Sequence, residues 1–477
     1  LLALIVVFLT TNIIQIVRDK KNMKNAKKQL KYTARAKRLM LLNFIVMIFL
    51  EVIFTSYIYS DLGAGETENV TDLVFIMQTL SRFALYSAFI AVIPINMIIA
   101  NFFAWPTEQI INNWYINSAR RKLRKKNYRH IIRIGITGSY GKTSTKFALA
   151  TILSEKYNVL ATPESYNTTM GNVRVIREQL KPEHEVFISE MGARRVGDIS
   201  EICDFVKPQI GIITSIGPQH LETFKTIEKV TQTKAELINT MDSDGVVFLP
   251  IDNQYCSNLY SKEKKKKYSY SLNNKVADVY AKDIVLNENG SNFIAVTPIG
   301  EISCTTKLLG EHNIENILGC IAIAIHMGLS KEQIEAGVRK IEPVPHRLQI
   351  LNSGNGNIVI DDAFNSNPVG AKMALDVLSK FSGRKIVITP GMVELGSKEF
   401  EENKKFGKHM AKTVDIAILV GVKRSEPIVA GLREEKFDDQ NIYIVANLDE
   451  ATQKLAKISK LGDVVLFEND LPDNYNE

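Results

Sequence analysis

The stretch that most constrains this chain is residues 130–145, HIIRIGITGSYGKTST. An apolar run rich in β-branched residues, IIRIGIT, enters a glycine-containing turn, and the turn opens onto a helix-compatible segment, STKFALATILSEKY. Strand, glycine turn and helix in that order make a phosphate loop. Small residues let backbone N–H groups close on an anion at the helix N-terminus, where the peptide dipoles also favour negative charge. The Lys142 ammonium is then placed to reach β- and γ-phosphates, and the Thr143 hydroxyl to ligate Mg²⁺. Ile136 stands where the commoner G-x-x-x-x-G-K-[ST] pattern has its first glycine. The loop is therefore a T-G-S-x-G-K-T variant, running through Thr137, Gly138, Ser139, Gly141, Lys142, Thr143 and Ser144.

Beyond this loop the chain alternates strand-like and helix-like segments, which predicts an α/β domain with a mainly parallel sheet. Residues 184–192, HEVFISEMG, read as a strand ending in an acid, Glu190; residues 209–221, QIGIITSIGPQHL, end in a Gly-Pro turn and His220. Ligands of such sheets bind beyond the carboxyl ends of the strands, so Glu190, His220 and the loop are expected in one place. The segment TIEKVTQTKAELINTM has apolar residues at helical spacing and carries Lys234. Glu236 beside it reads as a further oxygen ligand or as part of a solvated helix face. YNTTMG, residues 166–171, offers Asn167, Thr168 and Thr169 as uncharged donors and acceptors for a carboxylate or phosphate. From about residue 245 to 307 the pattern changes to short strands and turns, with SKEKKKK read as an exposed, hairpin-like charged loop. Asn313 and Asn316 lie at helical spacing in LLGEHNIENILGC. PVPHRLQI is a proline-rich junction carrying Arg347, and NIVIDDAFNSNP holds Asp361, Asn365 and an Asn-Pro helix start.

These segments, in this order, resemble the Mur ligase family, the ATP-dependent amide ligases of peptidoglycan synthesis, over about residues 134–477. The resemblance rests on T-G-S-x-G-K-T, S-E-M-G, T-S-I-G-P-Q-H-L, T-K-A-E-L, G-x-H-N-x-x-N, the P-x-x-x-R-L-type hinge, D-D-A-F-N-S-N-P and M-V-E-L-G. It implies a catalytic set of Lys142, Glu190, His220, Lys234 and Arg347. It also implies ATP and two Mg²⁺ ions, one with Thr143 and Glu190, the second with His220 and a carbamylated Lys234. A carbamate turns a cationic amine into a carboxylate-like oxygen ligand, which suits a hard cation. By the same resemblance Asn167, Thr168 and Thr169 face the acceptor substrate, Asn313, Asn316, Asp361 and Asn365 face the nucleotide, and Arg347 meets the transferred phosphate. The implied reaction is amide formation through an acyl phosphate, with D-Ala-D-Ala addition to a muramyl tripeptide as the leading case. A membrane-tethered ligase acting on a lipid-linked muropeptide and a poly-γ-glutamate-type ligase are the alternatives. Three departures stand out. The residues before the phosphate loop are not expected to form the family's N-terminal uridine-nucleotide domain, Pro390 replaces an acidic residue, and L-F-E-N-D-L-P-D-N-Y stands where a K-G-S-R-type segment is expected.

The N-terminal region has a different composition. Apolar runs at residues 1–17, 39–59 and about 73–104 predict three membrane-spanning helices, with Glu51 and Arg82 inside the spans. The first run is slightly short and begins at Leu, so residues upstream of it are expected. Residues 1–133 carry 19 Lys+Arg against 7 Asp+Glu, and the remainder 40 against 45, so the net charge of +7 belongs to the head. Bases cluster at residues 18–38 and 120–129 and acids at 61–72, which by the positive-inside rule places the chain after residue 104 on the cytoplasmic face. The expected fold class is thus α/β, organised as an anchor of transmembrane helices (1–104), a basic linker (105–133), a central ATP-binding domain with a mostly parallel sheet (134–342) and a smaller doubly wound C-terminal domain (343–477). The expected location is a multi-pass protein of a bacterial cell membrane. Expected partners are a muramyl peptide or lipid-linked muropeptide, an amino acid or dipeptide, membrane lipid and cell-wall synthesis proteins, with no nucleic acid. Four cysteines without C-x-x-C spacing predict neither disulfides nor structural zinc.

Overall fold

The computed structural model describes residues 33–62, 93–164, 166–219, 221–352, 356–363, 366–393 and 395–469. The chain divides between Tyr115 and Ile116 into two compact units. In the first, helix Ala34–Leu62 is tied to the early part of helix Ile93–Arg124 by Arg38, whose guanidinium donates to both carboxylate oxygens of Glu108 at 2.8 and 2.9 Å.

This region corrects the expected membrane anchor. Among the described residues no helix is long and apolar enough to cross a membrane. In helix Ala34–Leu62 the longest charge-free stretch is residues 39–50, between Arg38 and Glu51. At 1.5 Å per residue it reaches only about 18 Å, against a hydrocarbon core of about 30 Å. In helix Ile93–Arg124, Pro106 and Glu108 interrupt the apolar run, and basic residues fill the last turn. Residues 1–17, Arg82 and the first part of the 73–104 run lie outside the described residues. Transmembrane helices as part of the fold class, the multi-pass membrane location and membrane lipid as a partner therefore lose their support.

The second unit is built on two sheets. The first contains β1 (Ile132–Thr137), β2 (Val159–Ala161), β3 (Val186–Glu190), β4 (Ile210–Ile213), β5 (Val246–Pro250), β6 (Lys266–Ser271), β7 (Val279–Asn287), β8 (Gly290–Val296) and β9 (Ile302–Thr306), in the order β2-β3-β1-β4-β5-β6-β7-β8-β9. Pairing is parallel from β2 to β7 and antiparallel across β7-β8-β9. β1 lies where the chain reverses its direction across the sheet, the place where parallel sheets open a crevice at their carboxyl ends. Its register, Ile136 opposite Glu190 and Thr137 opposite Ile213, brings three strand ends together. Ile134, Ile136, Ile188 and Ile212 pack in one core with Leu149 and Ile152 of helix Lys142–Leu153 and Ile317 and Ile321 of helix Glu311–His326. SKEKKKK is not a hairpin. It links the end of helix Gln254–Lys262 to β6, which runs parallel to β5, and Lys267 donates back to the carbonyls of Tyr260 and Glu263 at 2.7 and 3.0 Å.

The second sheet contains β10 (Gln349–Asn352), β11 (Ile358–Asp362), β12 (Lys385–Thr389), β13 (Ile416–Val420), β14 (Ile442–Val445) and β15 (Val464–Glu468), in the order β10-β11-β15-β12-β13-β14. Only β10 is antiparallel to its neighbour. Strand alternation feeds two cores. Ile386, Ile388, Ile416 and Ile418 face Ala451, while Val387, Ala417, Leu419 and Leu466 face Leu375, Phe406 and Ile428. Both faces are covered, so this domain is doubly wound. The Asn-Pro start reads as expected: Asn367 caps helix Pro368–Leu378 by accepting from the Val369 and Gly370 N–H groups at 3.2 and 3.0 Å.

Helices Glu399–Thr413 and Ser425–Glu434 touch backbone to backbone. A β-carbon at Gly431 would overlap the Lys404 carbonyl, and one at Gly407 the Ile428 carbonyl. Gly431→Ala is expected to destabilise the C-terminal domain by about 1–3 kcal/mol, the usual cost of overpacking. Urea unfolding of native and variant protein measures it, and an unchanged midpoint would contradict the close contact.

Candidate functional site

After β1 the chain turns through Gly138 (φ +152°) and Gly141 (φ +78°) into helix Lys142–Leu153. Both positions exclude a side chain. A β-carbon at Gly138 would overlap the Thr214 hydroxyl, and one at Gly141 would lie 2.7 Å from the Asn316 side-chain oxygen. The loop is pinned to the segment after β4. Ser139 donates its N–H to the Ser215 carbonyl at 2.8 Å and its hydroxyl to the Gly217 carbonyl at 2.9 Å, and the Gly217 N–H donates to the Ser139 hydroxyl at 3.0 Å. The Thr137 hydroxyl donates to the Met191 carbonyl at 2.8 Å, which ties the loop to the segment after β3. Lys142 folds back on its own loop, donating to the carbonyls of Gly138 and Ser139 at 2.8 and 3.1 Å. Burial lowers its pKa to about 8.

Glu190 ends β3 with a fully buried carboxylate. It accepts from the Thr143 hydroxyl at 3.1 Å, the Asn167 side-chain amide at 3.2 Å and the Lys146 ammonium at 3.0 Å. The Lys146 and Glu190 side chains are 0% and 1% exposed. Removing both charges from water is costly, and such a pair persists only where further hydrogen bonds satisfy the remaining oxygens and protons, as Thr143 and Asn167 do here. Lys146 also donates to the Glu164 carbonyl, so one ammonium joins the strand-end carboxylate to the loop that carries Asn167. Lys146 went unremarked in the sequence because it sits inside an ordinary helical pattern. Its one signal was its place four residues after Lys142, on the same helix face.

Asn167, Thr168 and Thr169 all line the cavity. Asn167 touches Glu190. Thr168 caps helix Thr169–Glu178, and the Thr169 hydroxyl donates to Glu201 at 2.8 Å. Lys234 is buried on helix Ile227–Thr240, 1% exposed, at the cavity wall. Burial and the neighbouring Lys142 hold its pKa well below the ordinary lysine value. Glu236 is buried rather than solvated. It accepts from the Gly197 and Ser200 N–H groups at 2.6 and 3.0 Å, capping helix Asp198–Val206. Asn313 donates to the Leu309 carbonyl at 2.8 Å, while Asn316 and Ser144 line the cavity. His220 and Asn365 lie outside the described residues.

From the second sheet, Arg347 and Asp362 reach the cavity wall. Arg347 stands between two left-handed residues, His346 (φ +61°) and Leu348 (φ +45°), each pinned to β11. His346 Nδ1 lies 2.7 Å from the Asp361 carboxylate, and the Leu348 N–H donates to Asp362 at 3.1 Å. Asp361 is thus occupied by His346 and is absent from the cavity wall, whereas Asp362 lines it, because successive strand residues point to opposite faces. Burial pushes the Asp362 carboxyl up to about 6 and holds the Arg347 guanidinium below its ordinary value.

These groups enclose a cavity of about 990 Å³ between the two sheets. Among the described residues no three His, Cys, Asp or Glu side chains form a metal cage. Mg²⁺ needs none, since it commonly uses one or two protein oxygens together with water and phosphate oxygens. The Thr143 hydroxyl and Glu190 carboxylate at the mouth of the loop fit that requirement.

A phosphate loop, a hydroxyl–carboxylate pair beside it and a second domain facing both across a cavity define an enzyme that uses a nucleoside triphosphate to activate another substrate. The family model of the Mur ligase middle domain matches residues 136–324, and that of the Mur ligase glutamate ligase domain matches residues 346–468. A UDP-N-acetylmuramoyl-tripeptide--D-alanyl-D-alanine ligase from Mycobacterium bovis is 31% identical over 356 residues, 70% of this chain and 69% of that protein. Among solved structures, MurF from Acinetobacter baumannii aligns with a TM-score of 0.68 at 25% identity, over 75% of this chain and 78% of that one. The MurF ligase of Thermotoga maritima, solved with ADP, shares the fold with a TM-score of 0.66 at 23% identity, over 75% and 80%. The chain belongs to the Mur ligase family and is an ATP-dependent carbon–nitrogen ligase.

Lys146→Met keeps the stem and removes the charge. It is expected to destabilise the protein by about 3–5 kcal/mol, because Glu190 is left buried without its cation. Chemical denaturation measures the loss, and a change below about 1 kcal/mol would show that the pair does not hold the site together.

Proposed function

We propose that this chain joins D-alanyl-D-alanine to the free carboxyl of a muramyl tripeptide, using ATP and passing through an acyl phosphate. The observation that carries the reading is the Thr143–Glu190–Asn167 chain of hydrogen bonds, which links the nucleotide loop to the loop facing the second substrate through one carboxylate. The substrate pair is that in the names of the relatives.

In this reading Lys142 leaves its two loop carbonyls and turns to the β- and γ-phosphates, which replace those carbonyls as partners of its ammonium. Thr143 and Glu190 would hold Mg²⁺, which would supply charge neutralisation for phosphoryl transfer. Lys234 is the candidate for a second metal ligand as its carbamate, together with His220. Its burial at the cavity wall, which with the neighbouring Lys142 disfavours the ammonium form, supports this. Asn167, beside Glu190, orients the acceptor carboxylate. Arg347 faces the transferred phosphoryl group, where a fixed guanidinium opposes charge on its oxygens. An acceptor carboxylate oxygen bonds to the γ-phosphorus as ADP leaves. The dipeptide amine then bonds to the carbonyl carbon, phosphate leaves, and the nitrogen loses a proton. Domain closure about the residues flanking Arg347 gates these steps by positioning.

The test is to incubate the purified protein with ATP, Mg²⁺, D-Ala-D-Ala and a panel of soluble and lipid-linked muropeptides, and to identify the adduct by mass. The expected product is the soluble pentapeptide with one ADP per amide bond, and Lys142→Ala is expected to lower its rate by at least about a hundredfold. A different adduct would overturn the substrate assignment, and an unchanged rate in the variant would overturn the role of the loop.

A further inference from the structure

The amide-forming step needs a group that takes a proton from the amine, and none of the residues placed above does so. An α-amine with a pKa of about 8 is mostly ammonium at neutral pH, and its nitrogen has no free electron pair until a base removes a proton. The C-terminal domain holds a carboxyl suited to that work. Glu468 ends β15 inside L-F-E-N-D, the segment that departs from the family pattern. It is fully buried, and it accepts from the Ser366 hydroxyl and from the Thr389 hydroxyl at 2.7 Å, one on each oxygen. Thr389 in turn accepts the Gly391 N–H at 3.0 Å, so its own proton goes to Glu468. Parallel register sets Asp362 of β11 opposite Glu468, and Asp362 is the charged side chain that faces it, while β12 presents Thr389 and the loop after β11 presents Ser366. Burial, reinforced by Asp362 and opposed by the two hydroxyls, pushes the Glu468 carboxyl up to about 7.

Glu468 itself does not reach the cavity wall, but Ser366 does, together with Asp362 and Arg347. The Ser366 backbone is fixed: its N–H donates to the Asn469 side-chain oxygen at 3.1 Å, and the Asn469 amide donates to the Gly391 carbonyl at 2.6 Å. The ends of β11, β12 and β15 thus hold one hydroxyl at the cavity with its proton on a buried carboxylate, and a hydroxyl oxygen has further lone pairs with which to accept. Resting on the acyl-phosphate reading, we propose that Ser366 is a catalytic residue that relays a proton to Glu468: the ammonium of the amine donor gives a proton to the Ser366 oxygen as the Ser366 proton passes to the Glu468 carboxylate. The freed nitrogen lone pair bonds to the acyl carbon. The bond from that carbon to the phosphate oxygen breaks, its electrons go to the oxygen, and the second nitrogen proton leaves on the phosphate. Glu468 then returns its proton to water by the same route. A carboxyl near 7 and an amine near 8 differ by about one unit, which keeps the transfer close to balance.

The test compares two nucleophiles. Amide formation from ATP, Mg²⁺, the muramyl tripeptide and D-Ala-D-Ala is measured beside hydroxamate formation when hydroxylamine replaces the dipeptide, in native protein, Glu468→Gln and Ser366→Ala. Hydroxylamine is largely unprotonated at neutral pH, needs no base and so reports the acyl phosphate directly. Both variants are expected to lose amide synthesis by about a hundredfold or more at neutral pH while keeping hydroxamate formation within about threefold. The loss in Glu468→Gln should narrow as pH rises through about 8, where the free amine becomes abundant. Glu468→Gln keeps the side-chain volume and both hydrogen bonds, accepting from Ser366 and donating to Thr389, and its hydroxamate rate shows that the site is folded. Equal loss of both products, an unchanged amide rate or a loss independent of pH overturns the proposal while leaving the acyl-phosphate reading intact. Absence of hydroxamate from the native protein overturns that reading and the proposal with it.

Discussion

The Glu190 carboxylate, sealed at the end of β3 with Lys146 on one oxygen and Thr143 and Asn167 on the other, fixes where the other functional groups stand. Its position comes from register. Parallel pairing of β1 with β3 sets Glu190 opposite Ile136, one residue before the loop, so the acid and the first residue of helix Lys142–Leu153 must share a corner. Such a buried ion pair contributes little net stability in general. What it supplies is geometry, because a carboxylate held on both oxygens has one orientation.

Burial lowers the pKa of each of the cations near that corner, Lys142, Lys146, Lys234 and Arg347. Arg347 arrives from the other domain on a short segment of left-handed residues held by Asp361 and Asp362. Each such residue stores of order 1–3 kcal/mol of backbone strain, which the β11 carboxylates offset, and a segment of this kind is a natural place for domain rotation.

Much of this was legible in the sequence because it depends on local pattern. The strand–loop–helix signature, the acid at the end of HEVFISEMG and the Asn-Pro helix start each need only a few consecutive residues. What was not legible depends on direction or on distant partners. The resemblance points to Asp361, and the register is needed to see that its neighbour Asp362 is the one on the cavity wall. Glu236 was read as a ligand or as solvated, whereas it caps a helix some 36 to 39 residues away in sequence. Lys146 carried no motif at all, and only the packing around Glu190 singles it out. The apolar N-terminal runs predict spans, but among the described residues no helix is long and apolar enough to cross a bilayer.

The central claim is that Glu190 couples nucleotide to metal. It is tested most directly by the magnesium-dependent part of the thermal stabilisation that ADP confers on native protein and on Glu190→Gln. A ligand at about a hundred times its Kd adds about 2.7 kcal/mol, and in the native protein Mg²⁺ should raise the ADP-induced shift in Tm by about 4 °C or more. In Glu190→Gln that magnesium increment should vanish while a shift from ADP alone remains. An increment of the same size in the variant would contradict the account.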